Sequence, residues 1–124
     1  MRATVLNAQV GDEQHFGDPT TAQLERSVAE LLGKEAAVFL PSGTMCNEIA
    51  IRVHTSPGDE VICQRSSHLI GFEGGGPAAN SGVMIHSIDG HRGTITADQV
   101  RCAVRASSRY MPSFTLVAIE QPPM

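Results

Sequence analysis

The chain has 124 residues, of which 41% are hydrophobic, and it contains four Phe, one Tyr and no Trp. This length and composition suit one domain with a core of aliphatic side chains. A net charge of −4 without runs of Lys or Arg argues against a nucleic-acid partner. The sequence also lacks an apolar stretch long enough for a signal peptide or a membrane span, so we expect a cytoplasmic protein without a membrane partner.

The first half of the chain carries two helical patterns with an apolar run between them. Apolar residues recur at helical spacing over 19–32, between Asp18, which suits the N-cap, and Gly33, which suits the helix end. Residues 36–40, "AAVFL", have the length and composition of a buried strand. Helical spacing returns over 44–54, before the turn signal "SPGD".

The second half predicts three further strands, over 60–64, 83–88 and 114–120. A glycine-rich stretch between the first two of them predicts a loop with one short helix. Thr96 and Gln99 have the spacing of a capping box, so a helix is predicted after Thr96. This alternation of helices with short apolar strands indicates an α/β fold, in which helices cover both faces of a mostly parallel sheet.

The three cysteines do not form a metal or redox motif. Cys46, Cys63 and Cys102 lack a C-x-x-C spacing, and no His stands at zinc-ligand spacing from them. We interpret all three as small apolar residues that are buried in the core, and we predict no metal site.

The stretch "PSGT" after the predicted strand at 36–40 is a candidate anion site. The backbone amides of Gly43, Thr44 and Met45 would be the first unpaired donors of a helix, at the positive end of its dipole. Ser42 and Thr44 add hydroxyl groups, so the stretch predicts a phosphate-binding turn. The alternative is that Ser42 or Thr44 only caps the helix. The stretch matches neither the Walker loop nor the dinucleotide fingerprint.

His68 follows the strand predicted at 60–64, which places it at the C-terminal edge of the sheet, where α/β proteins bind ligands. An imidazole there can stack on a planar ligand or exchange protons near neutral pH. The alternative is a loop histidine that bonds only to backbone. The neighbouring "GFEGGGP" resembles a phosphate loop in composition alone, and it favours a close backbone approach or a mobile turn.

Several motifs stand together in the order of one known family: "GDPT", "LLGKEAA", "PSGTM", "HTSPGDEVI", "HLIGFEGGG" and "SGV". From Gly11 to Glu120 the chain resembles the low-specificity threonine aldolases, also called the β-eliminating lyase group, which are pyridoxal-phosphate enzymes. The resemblance implies the large domain of an aspartate-aminotransferase type fold and a homodimer or homotetramer with shared active sites. The implied reaction cleaves threonine or allo-threonine to glycine and acetaldehyde.

The resemblance also implies roles for individual residues. Ser42, Gly43 and Thr44 match the phosphate-binding turn for pyridoxal 5'-phosphate, and His68 matches the catalytic histidine that stacks on its pyridine ring. Residues 1–17 would form an N-terminal arm. Within this arm, the segment "HF" corresponds to one that reaches toward the partner subunit's site.

Three departures from the family pattern leave aldol cleavage and β-elimination both open. The opening "MRATVLNAQ" lacks the usual arginine and serine, and the segment at His15 and Phe16 lacks a tyrosine that members commonly have. The end "EQPPM" stands where aldolases often have "ENTHN". An active-site histidine of the family therefore aligns with Pro123.

Pyridoxal-phosphate chemistry needs a lysine that holds the cofactor as a Schiff base and an acid at the ring nitrogen. Lys34 is the only lysine of the chain, and about eight extended residues at 3.3 Å each would place it about 25 Å from the predicted phosphate turn. The resemblance implies that the family's lysine and aspartate lie beyond Met124. We therefore interpret residues 1–124 as an N-terminal fragment of the large domain that is inactive alone.

Two alternatives remain at this stage. The chain could be a small flavodoxin-like α/β domain that binds a phosphorylated ligand without catalysis. It could also be a catalytically inactive interaction protein of the same fold.

Overall fold

The computed structural model describes residues 1–12, 14–106 and 108–121. It divides into two compact units, Met1–Pro41 and Ser42–Met124, which are described separately. No helix in these described ranges has the length and apolarity that a membrane crossing requires. Pro123, which the resemblance to the threonine aldolases would align with an active-site histidine, lies outside the described residues.

The first unit contains helices α1 (Arg2–Leu6) and α2 (Pro19–Leu32). The ends of α2 confirm the sequence prediction, because Asp18 is the N-cap and Gly33 ends the helix with a left-handed φ of 61°. The Asp18 carboxylate accepts hydrogen bonds from the amides of Thr21 (2.7 Å) and Gly11 (2.8 Å). These two bonds, the Thr21 bond above all, hold the pKa of Asp18 below its usual value.

Residues 36–40 do not form the predicted strand. The sheet of the described chain is built from later residues, so this run has no ladder partner. Its backbone bonds elsewhere, since the amide of Phe39 donates to Glu25 Oε1 (2.8 Å). Val38 is 70% exposed and Phe39 is 56% exposed. The prediction was wrong because an apolar run indicates burial but cannot supply a neighbouring strand.

The second unit contains a parallel three-stranded sheet in the order β2-β1-β3. Strand β1 (Glu60–Gln64) has the predicted bounds, β2 (Met84–Ile88) begins one residue later than predicted, and β3 (Phe114–Val117) ends three residues earlier. The central strand is the most deeply buried, with Val61, Ile62 and Cys63 fully inaccessible. A parallel sheet with helical crossovers confirms the α/β class.

Three helices and one π-helical turn accompany the sheet: α3 (Gly43–His54), α4 (His68–Gly71), the turn Pro77–Ser81, and α5 (Ala97–Ala103). Helix α3 packs against the π-helical turn and β3, and α5 packs against β2. The predicted capping box is confirmed at the start of α5. Helix α4 is the short helix predicted within the glycine-rich stretch.

The core of the second unit joins Ile51 of α3 to apolar residues of the sheet and its loops, namely Val61, Cys63, Leu69 and Val83. The predicted burial of Cys63 is confirmed, but Cys46 and Cys102 are exposed. Cys46 lies about 140° around α3 from the buried Ile51, so it cannot face the same core. Helix α5, which carries Cys102, buries none of its described residues.

Candidate functional site

The first turn of α3 begins with a capped helix end. Ser42 is the N-cap in an extended conformation, and its Oγ accepts the amide of Met45 at 3.1 Å. The expectation that the Met45 amide is free was therefore wrong, because the cap uses it. Among the described residues, the amides of Gly43 and Thr44 have no such partner. Two backbone donors and the hydroxyl hydrogens of Ser42 and Thr44 remain for an anion.

Gly43 leaves this helix end open. A Cβ built at position 43 meets no other atom within 4 Å, and residues 42–44 are exposed. An anion can therefore approach the amides without a side chain in the way. The geometry fits the predicted phosphate turn, whose role stays a prediction.

His68 is held at three points at the C-terminal edge of the sheet. Its backbone amide donates to Glu120 Oε1, and its Nδ1 lies 2.8 Å from Glu73 Oε1. Its ring stacks on Phe72, with centroids 5.4 Å apart and planes 29° from parallel. The side chain is 36% exposed. Because Phe72 covers one face of the imidazole, the opposite face is the one that a planar ligand could contact.

Glu73 links the histidine to α3. Its side chain is fully buried, and its Oε1 accepts a hydrogen bond from Asn47 Nδ2 (2.7 Å) in addition to its contact with His68. Its other oxygen, Oε2, has no hydrogen-bond partner in the described part of the chain. Asn47 lies one turn beyond Gly43, about 6 Å along the helix axis. The carboxylate thus connects the candidate stacking residue to the helix that carries the candidate anion donors.

Two of the three glycines after Glu73 adopt a backbone conformation that favours glycine. Gly74 and Gly75 have left-handed φ angles of 59° and 80°, which few other residues adopt. At Gly76, a Cβ would lie 2.3 Å from Glu48 Oε1. The close backbone approach expected from "GFEGGGP" is confirmed at Gly76. This glycine turn lies against α3, which comes earlier in the chain. Glu48 of α3 also accepts, through Oε2, a hydrogen bond from the side-chain amide of Asn80 (2.8 Å).

A cavity of about 240 Å³ opens at the same edge of the sheet. Its lining includes Gln64 at the end of β1 and Glu120 beyond β3. Ser67 also lines it, and its hydroxyl donates to Cys63 Sγ (3.3 Å). Burial raises the pKa of the Cys63 thiol, which disfavours a reactive thiolate there. The cavity therefore offers polar groups next to His68 but no activated sulfur nucleophile at Cys63.

The residues that complete this arrangement were not identified from the sequence: Asn47, Phe72, Glu73 and Glu120. Asn47 and Glu73 are 26 positions apart, and His68 and Glu120 are 52 apart. The one local signal was a single acid between His68 and a run of glycines. Among the described residues, no group of three or more His, Cys, Asp or Glu side chains could hold a metal ion.

The fold and the arrangement around His68 define an α/β protein with a candidate ligand site at the C-terminal edge of a parallel sheet. The model of the beta-eliminating lyase family matches residues 1–122. The chain belongs to this family.

Individual relatives are similar over nearly the whole chain. The low-specificity L-threonine aldolase 1 of Arabidopsis thaliana is 37% identical over 124 residues, which cover 97% of this chain and 35% of the relative. The low specificity L-threonine aldolase of Escherichia coli K12 is 35% identical over 121 residues, covering 97% and 36%. This chain therefore spans about a third of the length of these relatives.

A solved structure of a threonine aldolase from Leishmania major has the same fold. It matches with a TM-score of 0.80 at 25% sequence identity, covering 96% of this chain and 34% of the Leishmania chain. The match confirms the predicted fold class, a pyridoxal-phosphate-enzyme type of α/β architecture.

Proposed function

We propose that this chain forms the phosphate-binding and ring-stacking part of a pyridoxal-phosphate-dependent lyase that cleaves threonine or allo-threonine to glycine and acetaldehyde. The observation that carries the proposal is the linkage of His68, through Glu73 and Asn47, to the open N-terminus of α3. The family match and the names of the relatives support the reaction class.

The donor set at the start of α3 suits the phosphate group of the cofactor. A phosphate presents acceptor oxygens and negative charge, whereas this helix end presents the amides of Gly43 and Thr44 and the positive end of the dipole. The hydroxyl groups of Ser42 and Thr44 can donate further bonds. Bonds from such donors to a charged acceptor are stronger than bonds between neutral groups.

The exposed face of His68 suits the pyridine ring. Phe72 and Glu73 hold the imidazole from the other face and from one edge, so the ring is oriented before a ligand binds. When bound, pyridoxal phosphate supplies an electron sink for the carbanion that cleavage produces. His68 would contribute a stacking surface and a nitrogen that can hold a proton close to the reacting bond.

Residues 42–121 contain no lysine, so they cannot supply the Schiff base that holds pyridoxal phosphate covalently. Lys34 belongs to the other compact unit. The predicted distance between Lys34 and the phosphate turn assumed a strand at 36–40, which does not form, so that distance no longer applies. We therefore propose that residues 1–124 are part of a longer cytoplasmic enzyme. The lysine, the acid for the ring nitrogen and a homodimer or homotetramer would belong to that whole protein.

Cofactor titration of the whole protein tests the proposal. Thr44→Val removes one hydroxyl donor and should weaken pyridoxal-phosphate binding by about 1.5 to 3 kcal/mol, roughly 10- to 150-fold in Kd. Thr115→Val, on the exposed side of β3, is the matched control and should leave Kd unchanged. Equal affinity of Thr44→Val and the unmodified protein would contradict the phosphate assignment.

An aldehyde-release assay separates the proposed lyase from a flavodoxin-like domain that binds a phosphorylated ligand without catalysis. The lyase releases acetaldehyde from threonine when the cofactor is bound. A whole protein that binds the cofactor and releases no aldehyde from threonine, allo-threonine or other β-hydroxy-α-amino acids would support the non-catalytic alternative.

A further inference from the structure

We propose that Glu73 is a positioning residue that holds the proton of the neutral His68 imidazole on Nδ1 and leaves Nε2 as the unprotonated nitrogen. The inference concerns the histidine itself, and it rests on the proposed function only for the identity of the ligand that the ring meets.

The hydrogen-bond pattern at Glu73 determines which nitrogen carries the proton. Asn47 Nδ2 is a donor, so Glu73 Oε1 must act as an acceptor at 2.7 Å. The same oxygen lies 2.8 Å from His68 Nδ1. An ionised carboxylate only accepts hydrogen bonds, so Nδ1 is the donor of that contact. A neutral imidazole has a single N–H, and Nε2 therefore keeps its lone pair.

The assignment applies to the ionised carboxylate, the form in which both oxygens of Glu73 only accept hydrogen bonds. It also holds for a carboxyl group whose proton is on Oε2, the oxygen without a partner among the described residues, because Oε1 then still accepts from Asn47 and His68. Asn47 is part of the arrangement, because its amide bonds to the same oxygen and so holds that oxygen beside His68 Nδ1.

The other contacts of His68 cannot assign the proton. Glu120 bonds to the backbone amide, and Phe72 covers a ring face. These contacts place the ring, whereas Glu73 alone among the described residues bonds to a ring nitrogen. A fully buried carboxyl group with one oxygen that has no partner among the described residues lowers the stability of the fold. Its bond to His68 is a functional reason for its presence at this position.

Nitrogen NMR on the whole protein without cofactor tests the proposal. The protein carries isotope-labelled histidine, and His68→Phe identifies the signal of His68 by its loss. At a pH where the ring is neutral, we expect a protonated Nδ1 and an unprotonated Nε2. The opposite tautomer in the unmodified protein would overturn the proposal without any variant at Glu73.

Two substitutions sharpen the test. Glu73→Met removes the acceptor with little change in volume, and the ratio of the two tautomers should shift by at least about tenfold, as expected for the loss of a strong hydrogen bond. Glu73→Gln keeps an acceptor for His68 and Asn47 and should retain the native tautomer as the major form. Glu48→Gln is the control, because Glu48 bonds to Asn80 and not to His68.

The outcomes separate this inference from the proposed function. An unchanged tautomer ratio in folded Glu73→Met would overturn the role of Glu73 even if the protein is a lyase. If Glu73→Met does not fold, Glu73→Gln decides together with the unmodified protein. Since no cofactor is present, failure of the protein to bind pyridoxal phosphate or to cleave threonine leaves this measurement valid.

Discussion

Two buried glutamates, Glu60 and Glu73, lie in the same compact unit but have different surroundings. Glu60 begins β1, at the N-terminal edge of the sheet, where its two oxygens face the guanidinium of Arg105 and, at 3.4 Å, Nδ1 of His86. Both of these partners contact the ring of Phe114. Glu73 lies near the other edge, where one oxygen has two partners and the second has none among the described residues.

This difference separates a structural carboxylate from a candidate functional one. The carboxylate of Glu60 pairs with the guanidinium of Arg105 and lies near the imidazole of His86. These contacts offset the free-energy cost of burying its charge. Glu73 meets no Lys or Arg in the described chain, and its incomplete pairing makes it a poor stabiliser. The comparison predicts that substitutions near Glu60 change stability and that substitutions near Glu73 change binding and turnover.

The largest expected effect is at His68. In the whole protein, His68→Phe should keep the affinity for pyridoxal phosphate within a few-fold, because an aromatic face remains. Turnover should fall by about 10²- to 10⁴-fold, the usual contribution of a group that exchanges protons. The measurements are cofactor titration and aldehyde release at saturating cofactor.

Two variants serve as references for His68→Phe. His91→Phe, in an exposed turn, should behave as the unmodified protein, and His68→Ala should lose affinity as well. If His68→Phe and His68→Ala weaken binding equally and neither slows turnover, His68 is not a stacking residue.

An intermediate effect is expected at Arg105. Arg105→Met keeps an apolar chain beside Phe114 but leaves the Glu60 carboxylate without its cation, which should lower the free energy of unfolding by roughly 2 to 3 kcal/mol. Urea unfolding followed by circular dichroism measures the change. Arg101→Met is the control, because Arg101 pairs with the exposed Asp98 and such surface pairs contribute little. Equal effects of the two substitutions would remove the structural role assigned to Glu60.

The smallest effect concerns a third carboxylate, the half-buried Asp18. Its folded pKa lies below the usual value because the amides of Thr21 and Gly11 bond to it. Its stabilisation is therefore complete above the unfolded pKa and is lost as the pH falls through the folded pKa. Asn also caps helices but does not titrate. Unfolding of Asp18→Asn should be less sensitive to acid, with stability near neutral pH retained; an unchanged acid dependence would contradict this role.

The reliability of the sequence predictions followed the range of the interactions. The caps of α2 and α5 depend on residues three positions apart, and their signals were recognised. Strand formation at 36–40 depends on a distant partner, and there the prediction was wrong. The resemblance indicated the correct family and fold, but Glu73 was read only as part of a glycine-rich loop. Its contact with Asn47 forms through folding across 26 positions, and no local pattern encodes it.

Helix α3 constrains how this stretch of sequence can evolve. Gly43, Asn47 and Ile51 follow one another at intervals of four residues, so the open helix end, the bond to Glu73 and the anchor in the core share one side of the helix. One inserted residue between Asn47 and Ile51 would rotate the first turn by about 100° relative to the core. Substitutions on the exposed side leave this alignment intact. We therefore expect related sequences to vary in composition along α3 while insertions and deletions are excluded from it.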